Sequence, residues 1–174
     1  MTETTTNTAA AGSDATTQVF GIYIDAPATK VWDALTTSEL TNSYGYGGDV
    51  EIELKPGGSY RNLTTDAMKQ MGMGDVAATG TVVECDPPNK LVLDWSPVWH
   101  ADEPASRLTW EIVEGSSGLT RVTLTHACPE SPKTAADVAG TSGDVENGGG
   151  GWPWVLASLK TVLETGKPMT TAGS

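Results

Sequence analysis

The side chains of this 174-residue chain whose types and spacing suit chemistry fall into a few groups. His126 follows Val122 and Leu124 at intervals of two, so it shares their inward face. It reads either as a neutral core histidine with a satisfied hydrogen bond, or as a polar anchor or general base at the end of a cavity. His100 stands beside Asp102 and Glu103 and reads as part of a solvated loop. Metal binding by those three matches no strong ligand spacing, so no metal is expected. Cys85 and Cys128 are too few for a disulfide framework or a four-ligand zinc site, and they fit a reducing compartment as small buried hydrophobes. Gly148 to Gly151 precede a helix start, where phosphate could bind. However, Trp152-Pro153 follows where a P-loop needs Lys and Ser or Thr, and Pro153 removes one donor, so phosphate binding is rejected. The chain has no serine nucleophile elbow and no reactive-cysteine pattern. No catalytic residue is assigned, and no cofactor is expected.

The remaining candidates are apolar or amphipathic. Trp95, Trp110 and Trp152 fall on inward faces, where they either fill the core or line a cavity. Tyr44, Tyr46 and Tyr60 each pair an apolar body with a hydroxyl, which suits either edge packing or orienting a ligand. Met68, Met71 and Met73 lie close together in one loop, as adaptable packing or as the mouth of a site that accepts varied apolar molecules.

Stepping along the chain gives the elements that position these groups. Residues 1–17 are rich in Thr, Ala, Gly and Ser and read as a disordered tail without the features of a secretory signal. Phe20, Ile22 and Ile24 alternate along a first strand. Pro27 opens a helix carrying Val31, Ala34 and Leu35, and Thr37 or Ser38 caps a second short helix. Val50, Ile52 and Leu54 alternate with charged residues, Pro56-Gly57 turns the chain, and Gly58 to Thr64 returns. Residues 65–76 read as a loop. Strands follow over 78–85, around Leu91, Leu93 and Trp95, around Leu108, Trp110 and Ile112, and from Val122 to Cys128. Residues 129–151 read as a long Gly-rich connection. Trp152, Val155, Leu156, Leu159, Val162 and Leu163 then form one apolar stripe on a helix of about 14 residues that Gly166 and Pro168 terminate. Consecutive strands joined by short turns imply an antiparallel sheet. One long helix must cover its inner face, giving an α+β two-layer domain over residues 18–168 with a flexible end at 169–174. A dry void of 300 Å³ between such layers would cost on the order of 7 kcal/mol, so a large cavity must be wet, ligand-filled or collapsed.

Several stretches, as they stand, are similar to one family. They are Ala26-Pro27 with Val31-Trp32-Asp33-Ala34-Leu35-Thr36, Lys55 to Tyr60, Gly80 to Pro88 with Leu91 and Trp95, Thr120 to His126, and Gly151-Trp152-Pro153 running to Gly166. In this order they resemble the SRPBCC (START-like, helix-grip) superfamily, in the branch related to the activator of heat-shock-protein-90 ATPase. The resemblance implies a curved antiparallel sheet of six to seven strands wrapped on a long C-terminal helix, with two short helices after strand one. It also implies a deep, mainly apolar cavity between helix and sheet. The cavity candidates are Tyr44, Tyr60, Met68, Met71, Trp95, Trp110, His126, Trp152, Leu156 and Leu159. The separate N-terminal domain of the heat-shock activators is not expected here.

The formal net charge of −12 argues against nucleic acid or an anionic membrane surface as partner. Glu51, Glu53 and Glu111 alternate with core residues, so the acidity reads as a wet sheet face plus flexible segments rather than as a sign of a charged substrate. The functional expectation is binding of a small hydrophobic or aromatic molecule by a cytoplasmic protein, with enzymatic activity left open. The alternatives are a cyclase or hydratase of the same superfamily, which needs two convergent polar groups in the cavity, a chaperone- or protein-partner module, and natural-product sequestration.

Overall fold

Alternating apolar residues dictate most of the architecture. In β7 (Thr120–Ala127) the residues Thr120, Val122, Leu124 and His126 are all buried, while Arg121 faces solvent. The computed structural model describes residues 16–146 and 148–170. The expected tail at 1–17 lies outside the described residues except for 16 and 17, and Thr17 already belongs to β1 (Thr17–Ile24).

The chain continues through α1 (Ala28–Thr36), α2 (Ser38–Thr41), β2 (Val50–Ile52), β3 (Ser59–Leu63), α3 (Asp66–Gln70), β4 (Val76–Asp86), β5 (Lys90–Pro97) and β6 (Ser106–Glu114). After β7 come α4 (Pro132–Val138) and α5 (Trp152–Thr165). The seven strands form one antiparallel sheet in the order β1-β7-β6-β5-β4-β3-β2. All neighbours except β1 and β7 are consecutive in sequence, as short turns require. Because β1 and β2 are opposite edges, the α1–α2 segment carries the chain across the sheet.

The register fixes which side chains meet. Leu91 pairs with Trp110, Trp110 with Leu124, and Leu124 with Phe20, giving one inward row. A parallel row runs Tyr60, Gly80, Trp95, Ser106. Gly80 has no side chain between the two aromatic residues, and a Cβ there would come 2.3 Å from the Asp94 carbonyl oxygen. A bulge between Val82 and Glu84 interrupts the β4–β5 ladder, and extra residues of this kind bend a strand and increase its twist.

Helix α5 has 14 residues, with Pro153 in its first turn and Gly166 as its left-handed cap at φ 72°. It packs against β1 and α1, and its Leu156 and Leu159 are fully buried among Ile24, Val31 and Leu124. Two sequence expectations change. The 65–76 loop contains α3, whose Thr65 side chain accepts the Met68 N–H. The 129–151 connection contains α4, for which Ser131-Pro132 was the start signal. Leu54 also lies beyond β2 and is exposed. No helix among the described residues is long and apolar enough to cross a membrane.

Candidate functional site

The concave face of the sheet does not close completely against the helices. A half-enclosed cavity of about 600 Å³ remains. Its floor is Leu91, Leu93, Trp95, Leu108 and Trp110 from β5 and β6, and Ala78 from β4 keeps one wall thin. Val155 and Trp152 from the start of α5 form the roof. The Trp152 ring meets Trp110 edge-on at 5.8 Å and Trp95 at 6.2 Å, an arrangement that ring quadrupoles favour. Seven sequence candidates are therefore brought together along this cavity: Tyr44, Tyr60, Met68, Met71, Trp95, Trp110 and Trp152.

Three are not, and the sequence expectation is corrected for them. Leu156 and Leu159 point into the packed core, because the part of α5 beyond its first turns is covered by α1 and β1. His126 is fully buried and does not line the cavity. Its Nδ1 accepts the Trp152 indole N–H at 2.9 Å. An indole nitrogen only donates, so the proton of a neutral imidazole sits on Nε2. Nε2 then donates to Ser106 Oγ at 2.7 Å, and that hydroxyl donates to the Trp95 carbonyl at 3.2 Å. Burial pushes the His126 pKa down to about 4. With both ring nitrogens occupied, His126 positions Trp152 and offers no free base.

The tyrosines differ from one another in the same way. Tyr44 donates to the Ala34 carbonyl at 2.9 Å, and burial, with Tyr60 nearby, raises its pKa. Tyr46 accepts the Gly150 N–H at 2.7 Å and stacks on Trp154 at 5.0 Å. The loop between them is tied to α5 by a bond from the Gly45 N–H to Ser158 Oγ at 3.0 Å, and Gly45 has φ 60° with Val155 close by. The Tyr60 hydroxyl lines the cavity and has no protein partner among the described residues. Burial pushes its pKa up to about 12, so it remains a hydrogen-bond donor at neutral pH.

At the mouth, beside the methionines expected there, the cavity is also lined by Trp99 and Asp137, which no local sequence signal marked. One side is Met68, Met71 and Met73 around α3. The other is Trp99, Asp137 of α4, and Gly149 and Gly150. His100, expected in a solvated loop, is docked: its Nε2 lies 2.7 Å from Asp137 Oδ2, which also accepts the Trp99 indole N–H at 3.2 Å. Glu103 accepts the N–H groups of Lys133 and Thr134 at 2.8 and 2.9 Å and the Thr134 hydroxyl at 2.8 Å. Burial would raise its pKa, but these bonds outweigh that and hold the carboxyl below its ordinary range. Asp102 pairs with Lys133. The three residues weighed as metal ligands are thus engaged in docking the 98–105 loop onto α4. Among the described residues no group of three or more His, Cys, Asp and Glu side chains could hold a metal. Cys85 and Cys128 are both free.

Comparison with known proteins agrees with this architecture. Residues 25–164 match the family described as Activator of Hsp90 ATPase homolog 1-like protein. The solution structure of CalU16 from Micromonospora echinospora is similar at a TM-score of 0.62 and 20% identity, over 90% of this chain and 69% of that one. DynU16, described as a putative protein in the dynemicin biosynthetic locus, gives 0.61 and 22% identity over 88% of this chain and 49% of that one. The Aha1 dimer from Colwellia psychrerythraea gives 0.60 and 17% identity over 87% and 98%. No curated protein matches in sequence. With the family match extending from the end of β1 to the last turn of α5, the chain belongs to the Activator of Hsp90 ATPase homolog 1-like family.

Proposed function

We propose that the protein binds a small, largely apolar aromatic molecule between the sheet and α5. The observation that carries this reading is the 600 Å³ of space walled by Trp95, Trp110 and Trp152 and lined by Tyr60, whose hydroxyl has no protein partner among the described residues. A dry void of that size would cost on the order of 14 kcal/mol, more than a typical domain's stability, so the space must hold water or a ligand. An apolar guest that displaces poorly held water from aromatic walls gains affinity. Tyr60 then supplies orientation by donating to a carbonyl or hydroxyl of the guest.

The cyclase or hydratase alternative lacks its acid–base pair. His126 is fully engaged, and among the described residues the titratable groups lining the cavity are three tyrosines and Asp137, whose Oδ2 already holds two donors. The DynU16 locus favours a natural product as the guest, which is compatible with sequestration. A protein-partner role has its own support on the opposite face of the sheet. There Tyr23 and Val113 flank Arg121 in one row and are both more than half exposed.

The test is titration with a panel of polycyclic aromatic molecules, followed by tryptophan emission and thermal shift. Saturable quenching with a raised melting temperature supports the reading. If no compound in a broad panel produces either response, it is refuted.

A further inference from the structure

We propose that the cavity selects planar aromatic molecules that carry a cationic amine, with the Asp137 carboxylate as the pole that receives the ammonium. This rests on the ligand-binding reading above and adds the charge of the guest. The argument begins with the lining. Among the described residues Asp137 is the one carboxylate at the cavity, and no Lys, Arg or His side chain lines it. The remaining polar groups there are hydroxyls, amides and indoles, which are neutral.

Asp137 is also held in place. Its Oδ2 accepts from Trp99 Nε1 at 3.2 Å and from His100 Nε2 at 2.7 Å, while Oδ1 has no protein donor among the described residues. A carboxylate offers about four lone-pair sites, so two donors leave it able to accept a third. Trp99 brings an indole to the same rim, and aromatic faces attract cations through their quadrupoles. A fatty acid or other anionic amphiphile would meet the opposite situation. Its charge would enter an apolar site with no counter-charge and with Asp137 beside it. The net charge of −12 adds attraction at long range for a cation, and the half-exposed rim lets the ammonium stay partly hydrated while the ring system is buried.

Three probes of similar shape separate charge from shape: acridine, 9-(aminomethyl)acridine as its ammonium ion, and acridine-9-carboxylate. Their affinities for the full chain are read by tryptophan quenching at 0.15 M salt and pH 7.5. The cation should bind about tenfold more tightly than acridine, and the carboxylate about tenfold more weakly. Asp137→Asn should reduce the cation's advantage over acridine to less than about threefold, with the far-UV circular dichroism spectrum and a cooperative melt reporting that the variant is folded. Glu111→Gln removes the same net charge from the opposite face of the sheet and should preserve the preference. Equal binding of the three probes by the unaltered chain overturns the charge selection while leaving the cavity reading standing. A preference that survives Asp137→Asn overturns the role of Asp137 whatever Glu111→Gln does, and so does one lost equally in both variants, which would report net charge alone. Binding of none of the three overturns the cavity reading and this inference with it.

Discussion

His126 illustrates how a side chain of catalytic type becomes structural. The indole of Trp152 fills Nδ1 and the Ser106 hydroxyl fills Nε2, so protonation would break an accepted bond in a buried place. The consequence is a pH dependence with a definite sign. The unfolded chain takes up a proton near the ordinary histidine value of 6.5, whereas the folded state resists until about 4. The unfolded state thus binds more protons within that window, and stability must fall as the pH drops through it, by about 3 kcal/mol in all. Urea melts between about pH 7 and pH 5 should show this slope, and His126→Gln should flatten it. Carboxylates such as Glu103 and Glu164, whose pKa values are lowered, add their losses at more acid pH. The tyrosines give a second residue-scale contrast. Tyr44→Phe leaves the buried Ala34 carbonyl without its donor and should cost about 1 kcal/mol in denaturant melts. Tyr60→Phe removes a hydroxyl that no protein group among the described residues uses, so stability should change by less than about 0.5 kcal/mol while affinity for a carbonyl-bearing ligand falls.

At the scale of elements, β4 comes unusually close to β5 at a glycine. Gly80 stands between Tyr60 and Trp95 in the ladder, and its Cα lies so close to the β5 backbone that a methyl group would meet the Asp94 carbonyl at 2.3 Å. Backbone cannot move aside as a flexible side chain can. Gly80→Ala should therefore destabilise the fold by about 1–3 kcal/mol, measurable by thermal melting. Strands β1 and β4 to β7 and the final helix were legible because each spans eight or more residues, while the short β2 and β3 were marked by the Pro56-Gly57 turn between them. Helices α3 and α4 were not, since five and seven residues carry too little periodicity to stand out among Met-rich or Gly-rich neighbours. Ser131-Pro132 at the start of α4 was the one readable signal. Nothing local marked Asp137, because its importance comes from Trp99 and His100, more than thirty residues earlier in the chain.

For the whole molecule, the cavity is a property of the layers rather than of any one element. The helices touch the sheet at β1 and β6 and at the β2 edge, and the space left between these contacts is lined by β3 to β6. Filling that space should separate binding from folding. Ala78 is buried at the cavity wall, and Ala78→Leu adds methyl groups toward existing room. It should change stability by less than about 1.5 kcal/mol yet abolish most ligand affinity, as calorimetric titration beside a melting curve would show. If the same variant unfolds the protein, the space is smaller in solution than the structure records.

The sequence by itself determined the antiparallel α+β sheet, the order of its elements, the closing helix and the family. Each follows from local periodicity, turn residues and short motifs that need no distant partner. Seven of the aromatic and methionine residues it singled out line one cavity in the structure. Only the tertiary structure decided what those faces do. An inward face can be packed or open, and the difference lies in where α5 crosses the sheet: Trp152 at its start roofs the cavity, while Leu156 and Leu159 one and two turns later are sealed in the core. The charge of the site was likewise decided in three dimensions. Asp137 looks like one acidic residue in a polar connection until the loop after β5 docks on α4, and side chains more than thirty residues apart set its carboxylate at the rim of an apolar cavity.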